Sequence, residues 1–296
     1  MPASLRPRRS VLFVPGGNPR AIERSRTIPA DVIVLDLEDS VLPENKADAR
    51  TLAANALATG DFGRREVVVR VNALDTLWAA SDIAAVVPAR PDAILVPKIG
   101  RSDDIRRVRA ALSAAGATPH LAIWAMMETP LAVLNAGPIG AAALEPGSHL
   151  AAMVLGTGDL ALDSGMRTVP GRGPMLPWIA TCVAAARAFE LIIIDGAFTN
   201  LDDMAGFNAE CQQGRDLGMD GKALIHPKQV DPCNETYSPN ADDVAWALTV
   251  VAAFERPENA QRAVVTIDGR VVERLHERMA RRIVETARVI RSFETA

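Results

Sequence analysis

The sequence predicts an α/β protein, a (β/α)8 TIM barrel with a C-terminal helical extension. Three observations lead there. Eight short apolar runs of the kind that makes buried parallel strands recur over about the first 230 residues, close to the ~250 a barrel of eight units needs. Segments with apolar residues at helical spacing lie between them. Each run ends in a turn signal or a polar cluster, as barrel strands do where they deliver side chains to a site. An open doubly wound sheet is the other architecture such alternation permits. The lack of a GxGxxG after the first run counts against its dinucleotide-binding version.

Taken in order, the first run, residues 11–14, is stopped by Pro15-Gly16-Gly17-Asn18. The second, 32–36, leads into Asp36, Glu38 and Asp39, with Lys46 and Arg50 further on as expected ion-pair partners. The third, 67–71, carries Arg70 among valines and precedes Asn72. The fourth, 93–96, ends in Pro97-Lys98, and the fifth, 121–127, in Glu128-Thr129-Pro130. The sixth, 151–155, ends in Gly156-Thr157-Gly158-Asp159, the seventh, 191–194, in Asp195-Gly196, and the eighth, 223–225, in His226-Pro227. Helical spacing covers residues 48–57, 105–115, 177–189 and 204–217, with Asp103 and Asp104 placed as caps.

This division makes residues 1–234 the barrel and residues 235–296 the extension. The extension shows a helical segment at 242–254, a strand at 264–267 and a tight turn at Asp268-Gly269. Leu275, Met279, Ile283, Ala287 and Ile290 then mark an amphipathic helix. That helix is surplus to a closed barrel, so its apolar face is expected to pack on the barrel and on a neighbouring subunit.

Composition narrows the function classes. With 49% apolar and 23% charged residues the chain has ample material for a large core, and a net charge of −4 offers no argument for nucleic acid or membrane binding. The apolar run after the basic N-terminus is too short for a signal peptide, and no run is long enough to span a bilayer. Cys182, Cys211 and Cys233 are scattered, match no metal spacing and suit a reducing cytoplasm. Of 32 basic residues only Lys46, Lys98, Lys222 and Lys228 are lysine, and each lies near a polar cluster after an apolar run.

Two groups of residues invite chemistry. Arg70 sits inside a parallel strand and cannot be buried unpaired, so it requires a carboxylate such as Glu38 or Asp36, or a bound anion. Glu128 and Asp159 end adjacent strands, distant in sequence and close in a barrel. Two hard oxygen ligands with open positions are what Mg²⁺ prefers when a chelating substrate completes its shell. Each also has a plainer reading: Glu128 as an acid in the N-cap region before Pro130, Asp159 as a turn residue. Lys98 and Lys222 are candidates for a Schiff base or for pairing with phosphate or carboxylate. His226 has no second His or Cys nearby, which argues against zinc.

The motifs Ser10-Val11-Leu12-Phe13-Val14-Pro15-Gly16, Asp36-Leu37-Glu38-Asp39-Ser40-Val41 with Lys46 and Ala49-Arg50, Val69-Arg70-Val71-Asn72, Gly158-Asp159-Leu160 and the run from Gly218 to Gln229 occur in that order. Together they resemble the citrate lyase beta subunit-like proteins of the HpcH/HpaI aldolase family, over nearly the whole chain. The blocks at 36–50 and 218–229 are the specific ones. The resemblance implies a Mg²⁺-dependent carbon–carbon lyase acting on β-hydroxyacyl thioesters of coenzyme A or an acyl carrier, the CoA ester giving acetyl-CoA and a 2-oxo acid. It implies a homotrimer or hexamer whose C-terminal extension reaches a neighbour's site. By the same resemblance, Glu128 and Asp159 hold the metal and Arg70 holds the reacting oxygen. Phe13, Arg20 and Arg24 contact the coenzyme, and Ala223 and Leu224 contact it through their backbones. Asp36 and Glu38 orient Arg70 and water.

Three departures stand out. Glu273 occupies the place where the stand-alone lyases carry an acid/base aspartate. Pro97-Lys98-Ile99-Gly100 lacks the usual acid, and no arginine falls at residues 178–181. Thioester hydrolysis of a malyl-CoA type, a carrier-dependent citrate lyase beta subunit acting on citryl-ACP, and a Schiff-base aldolase using Lys98 are the alternative readings.

Overall fold

A computed structural model describes residues 6–294, which form two compact units, Arg8–Tyr237 and the segment from Ser238 onward. In the first unit eight parallel strands close into a barrel in sequence order: β1 Ser10–Pro15, β2 Val32–Asp36, β3 Glu66–Arg70, β4 Ala93–Val96, β5 Ala122–Met127, β6 Leu150–Leu155, β7 Ile192–Asp195 and β8 Gly221–Leu224, with β8 pairing back onto β1. Alternate residues of these strands face inward. Val11, Val32, Val34, Val68, Leu95 and Trp124 fill the interior, while Leu12, Ile33, Val69 and Ile94 pack outward against the helices.

That parity places the acids and the arginine. Asp36 continues the inward row of Val32 and Val34, and Arg70 the inward row of Val68. The register pairs Asp36 directly with Arg70. Glu128 follows the inward row of Trp124 and Met126. It is therefore aimed over the top of the barrel, where side chains from successive strands meet.

Helix caps free the candidate residues from structural duty. The helix Pro130–Leu134 is capped by Thr129, whose side chain accepts from the Ala132 N–H at 3.1 Å, so Glu128 is not a cap. Asp159 lies in the first turn of the helix Thr157–Ser164, where a carboxylate suits the dipole. Asp104 does serve as a cap, accepting from the Gly100 and Arg101 N–H groups at 2.9 Å. No helix among the described residues is long and apolar enough to cross a membrane.

The second unit has its own small core. The helix Ala241–Glu255 and an antiparallel hairpin, β9 Val264–Ile267 and β10 Arg270–Glu273, precede the helix Arg274–Glu294. Asp268 and Gly269 both have positive φ, 47° and 77°, as a two-residue hairpin turn requires. Val250, Phe254, Val265, Ile267, Val272 and Ala280 pack together. The sequence marked only the first strand and the turn, because the returning strand offers just two valines between charged ends. Leu275 and Met279, expected on the apolar stripe, are exposed within this unit. Ile283, expected on the stripe, does make contacts, together with Ala280 and Val284.

Candidate active site

Arg70 is the centre of the polar cluster at the carboxyl end of the barrel. It is 7% exposed and donates from Nε and Nη2 to the two oxygens of Asp36, at 2.7 and 2.8 Å, a bidentate pair. Its Nη1 lies 2.8 Å from Glu38 Oε2 and 3.3 Å from Asp39 Oδ2. The Phe13 ring is 5.2 Å from the guanidinium. Burial works against ionisation of Asp36, but the Arg70 hydrogen bonds and charge prevail and hold its carboxyl below the usual range. Glu38 behaves differently. Burial pushes it up to about 8, with Arg70 pulling down and Asp39, Glu128 and Asp36 repelling.

Glu128 and Asp159 form the second cluster. Glu128 is 1% exposed, and its Oε1 accepts from the Lys98 N–H at 2.7 Å. The Lys98 ammonium lies 2.5 Å from Asp159 Oδ1 and 3.7 Å from Glu128 Oε1. Burial raises the Glu128 pKa, opposed chiefly by the charge of Lys98. Gly156 makes room for this arrangement, since a Cβ built there would lie 2.6 Å from Glu128 Oε2. Two carboxylates converging on one positive charge fit a divalent cation with hard oxygen ligands. Among the described residues no group of three or more His, Cys, Asp and Glu is arranged to hold a metal.

Phe13, Arg20 and Arg24 come together, with Asn18, Ile225 and Pro227, around an open hollow of 310 Å³. Ala223 and Leu224 do not line it. They are buried in β8, paired with Val11 and Leu12, two and one residues before Ile225. Glu273 ends β10 in the second unit with an exposed side chain, its N–H donating to His276 Nδ1 at 3.0 Å.

Other expected partners are rearranged. Lys46 does not pair with a carboxylate. It donates to the Leu37 and Glu38 carbonyls and to Asn72 Oδ1 at 2.7–2.8 Å, fixing the loop after β2. Arg50 pairs with the buried Asp82, 2.9 Å away, on the helix Ala79–Val86, which the sequence reading did not mark. Asp82 also accepts from both nitrogens of Asn72. Asp195 has the opposite parity to Ile194, so it faces the helices. There it pairs with Lys222 at 2.8 Å and Arg172 at 2.7 Å, and Lys222 also reaches Glu210 at 2.7 Å. Lys222 is fully buried in this network and serves as a carboxylate partner. His226 accepts from the Lys228 N–H and caps a short turn. Gly156 was legible only as a strand terminator, because its spatial neighbour Glu128 is remote in the chain.

A closed barrel that gathers an arginine, its carboxylate partners and a second acidic pair around a lysine at the carboxyl ends of its strands has the layout of a barrel enzyme. A sequence model of the HpcH/HpaI aldolase/citrate lyase family matches residues 9–227, and the chain belongs to that family of enzymes. It is 42% identical over 290 residues to a (3S)-malyl-CoA thioesterase of Cereibacter sphaeroides, with 98% of each chain covered. It is 34% identical over 313 residues to an L-malyl-CoA/beta-methylmalyl-CoA lyase of the same species, covering 98% of this chain and 97% of the relative. Among solved structures, protein CitE of Mycobacterium tuberculosis, in complex with magnesium, acetoacetate and coenzyme A, superposes with a TM-score of 0.75 at 25% identity. That match covers 94% of this chain and 97% of CitE.

Proposed function

We propose that this chain is a Mg²⁺-dependent acyl-CoA carbon–carbon lyase. It cleaves or condenses a β-hydroxyacyl-CoA, such as malyl-CoA or citramalyl-CoA, to acetyl-CoA and a 2-oxo acid. The observation that carries the reading is the convergence of Glu128 and Asp159 on one positive charge beside the Arg70 cluster. The named lyase relative and the magnesium, acetoacetate and coenzyme A bound by CitE support it.

Glu128 and Asp159 hold the metal, which when bound supplies Lewis-acid polarisation of the substrate's carboxylate and hydroxyl oxygens. Arg70 stabilises the charge that develops on the reacting oxygen. Its bidentate tie to Asp36 fixes the donor before the reaction begins, so no reorganisation is needed in the transition state. A base takes the hydroxyl proton as the carbon–carbon bond breaks, and its electron pair leaves as the enolate of acetyl-CoA beside the 2-oxo acid. Glu38 orients Arg70 and water. Phe13, Arg20 and Arg24 hold the coenzyme in the hollow they line. Glu273 of a neighbouring protomer, in a homotrimer or hexamer, protonates the enolate carbon or deprotonates acetyl-CoA in reverse. Three free, buried cysteines accord with a cytoplasmic location.

Purified protein incubated with Mg²⁺, acetyl-CoA or propionyl-CoA and glyoxylate, pyruvate or oxaloacetate should yield a β-hydroxyacyl-CoA by mass, and chelator should abolish it. Turnover that persists in chelator would sink the metal role. Activity on a free CoA ester by the chain alone sets aside a carrier-dependent subunit. A second reading, hydrolysis of a malyl-CoA-type thioester, is favoured by the 42% identity to the thioesterase. Free CoA and hydroxy acid appearing without a 2-oxo acid would select it.

A further inference from the structure

Lys98 has a geometry that the reaction as drawn does not use. It follows β4 after Pro97, with φ 56°, in the left-handed region that side chains with a Cβ rarely adopt. That backbone turn aims its N–H at Glu128 Oε1, 2.7 Å away, and brings its own side chain back over the same carboxylate. The ammonium then touches Asp159 Oδ1 at 2.5 Å and lies 3.7 Å from Glu128 Oε1. One residue therefore grips the acidic pair twice, by main chain and by side chain.

A divalent ion held by those two carboxylates would sit about 2.1 Å from their oxygens. The ammonium lies within the same space, and two cations cannot share it. Glu128 is 1% exposed, so its carboxylate, when ionised, needs a positive partner. The Lys98 side chain is 38% exposed, which leaves its flexible stem a way out toward solvent.

We propose that Lys98 and the divalent cation are alternative occupants of the Glu128–Asp159 pair. The ammonium keeps the two carboxylates neutralised and aligned, and it swings outward when the metal binds. The Lys98 N–H stays on Glu128 in both arrangements, so the carboxylate remains aimed while the positive charge is exchanged. Lys98 is in this sense a positioning residue. Its competition sets how tightly the metal is held. The proposal rests on the reading of Glu128 and Asp159 as metal ligands.

The test is calorimetric titration of Mg²⁺, and of Mn²⁺ followed by its paramagnetic signal, into the full-length chain, Lys98→Met and Lys98→Gly. Glycine accepts the positive φ and keeps the N–H, so that variant guards against misfolding of the first. Both variants should bind either metal roughly five- to ten-fold more tightly, the scale set by releasing a partly exposed ion pair. Both should also melt earlier than the unaltered chain in EDTA and regain most of the difference in saturating Mg²⁺. Metal binding by the unaltered chain that is equal or weaker in both variants overturns the counter-ion role and leaves the metal site standing. Failure of the unaltered chain to bind either metal, with Glu128→Ala no different, overturns both.

Discussion

Arg70 and Asp36 are held to one another by burial as much as by charge. Each is nearly excluded from water, so removing one partner strands the other. Asp36→Asn should lower stability by about 3 kcal/mol in urea unfolding. Arg70→Lys should fold but lose the two-pronged contact, lowering kcat on the order of 10²-fold with a smaller change in KM. Gly156 is constrained by its neighbour. Gly156→Ala pushes a methyl group into Glu128 and should weaken Mg²⁺ binding about 10- to 100-fold in calorimetry. Circular dichroism of that variant should be unchanged. The Gly156 contact cannot be read along the chain. Arg70 announced itself as a charge inside a strand, and its need for a carboxylate was legible. Arg50 gave no sign that its partner is Asp82 on a short helix, since the pairing depends on which helices become neighbours.

At the scale of elements, strand parity divides the polar ends into two sets. Asp36, Arg70 and Glu128 look inward, toward the site. Asp195 and Lys222 look outward and, with Arg172 and Glu210, tie β7 and β8 to the helix Met204–Asp216 and the turn after Asp159's helix. Burial opposes ionisation of Asp195, but Lys222 and Arg172 hold its pKa below the ordinary value. A depressed carboxylate contributes stability above its unfolded pKa, about 3.9, and loses it as pH falls through the folded value. The urea midpoint should therefore fall between about pH 5 and pH 3, and less so in Asp195→Asn, measured at matched salt. Glu38 acts with the opposite sign, because ionising it on the way up through pH 8 costs stability. Strand positions were legible from short apolar runs, two of them, β2 and β4, to the residue. The helices Ala79–Val86, Pro130–Leu134 and Thr157–Ser164 were not, because each is too short to show a repeat.

For the whole molecule, Glu273 is the residue outside the barrel whose proposed role can be tested. If it serves a neighbouring protomer, Glu128→Ala and Glu273→Gln should each be inactive alone. Hetero-oligomers made by mixing and refolding the two should regain part of the activity, because some sites then combine an intact metal pair with an intact Glu273. No recovery, in oligomers shown by native mass spectrometry to be mixed, would place Glu273 in its own chain's site or outside the chemistry.

By itself the sequence determined the eightfold alternation, the strand ends that carry acids and arginine, and the family to which those motifs point. These are local or periodic properties, written in apolar spacing and turn residues. The tertiary structure decided the finer pairings. Of the two carboxylates open to Arg70 it gave Asp36 the bidentate tie, and it turned Asp195 to the outside and folded Lys98 back onto Glu128 and Asp159. The physical reason is register. One residue's shift along a strand reverses the face a side chain presents, and closure of the barrel fixes every register at once.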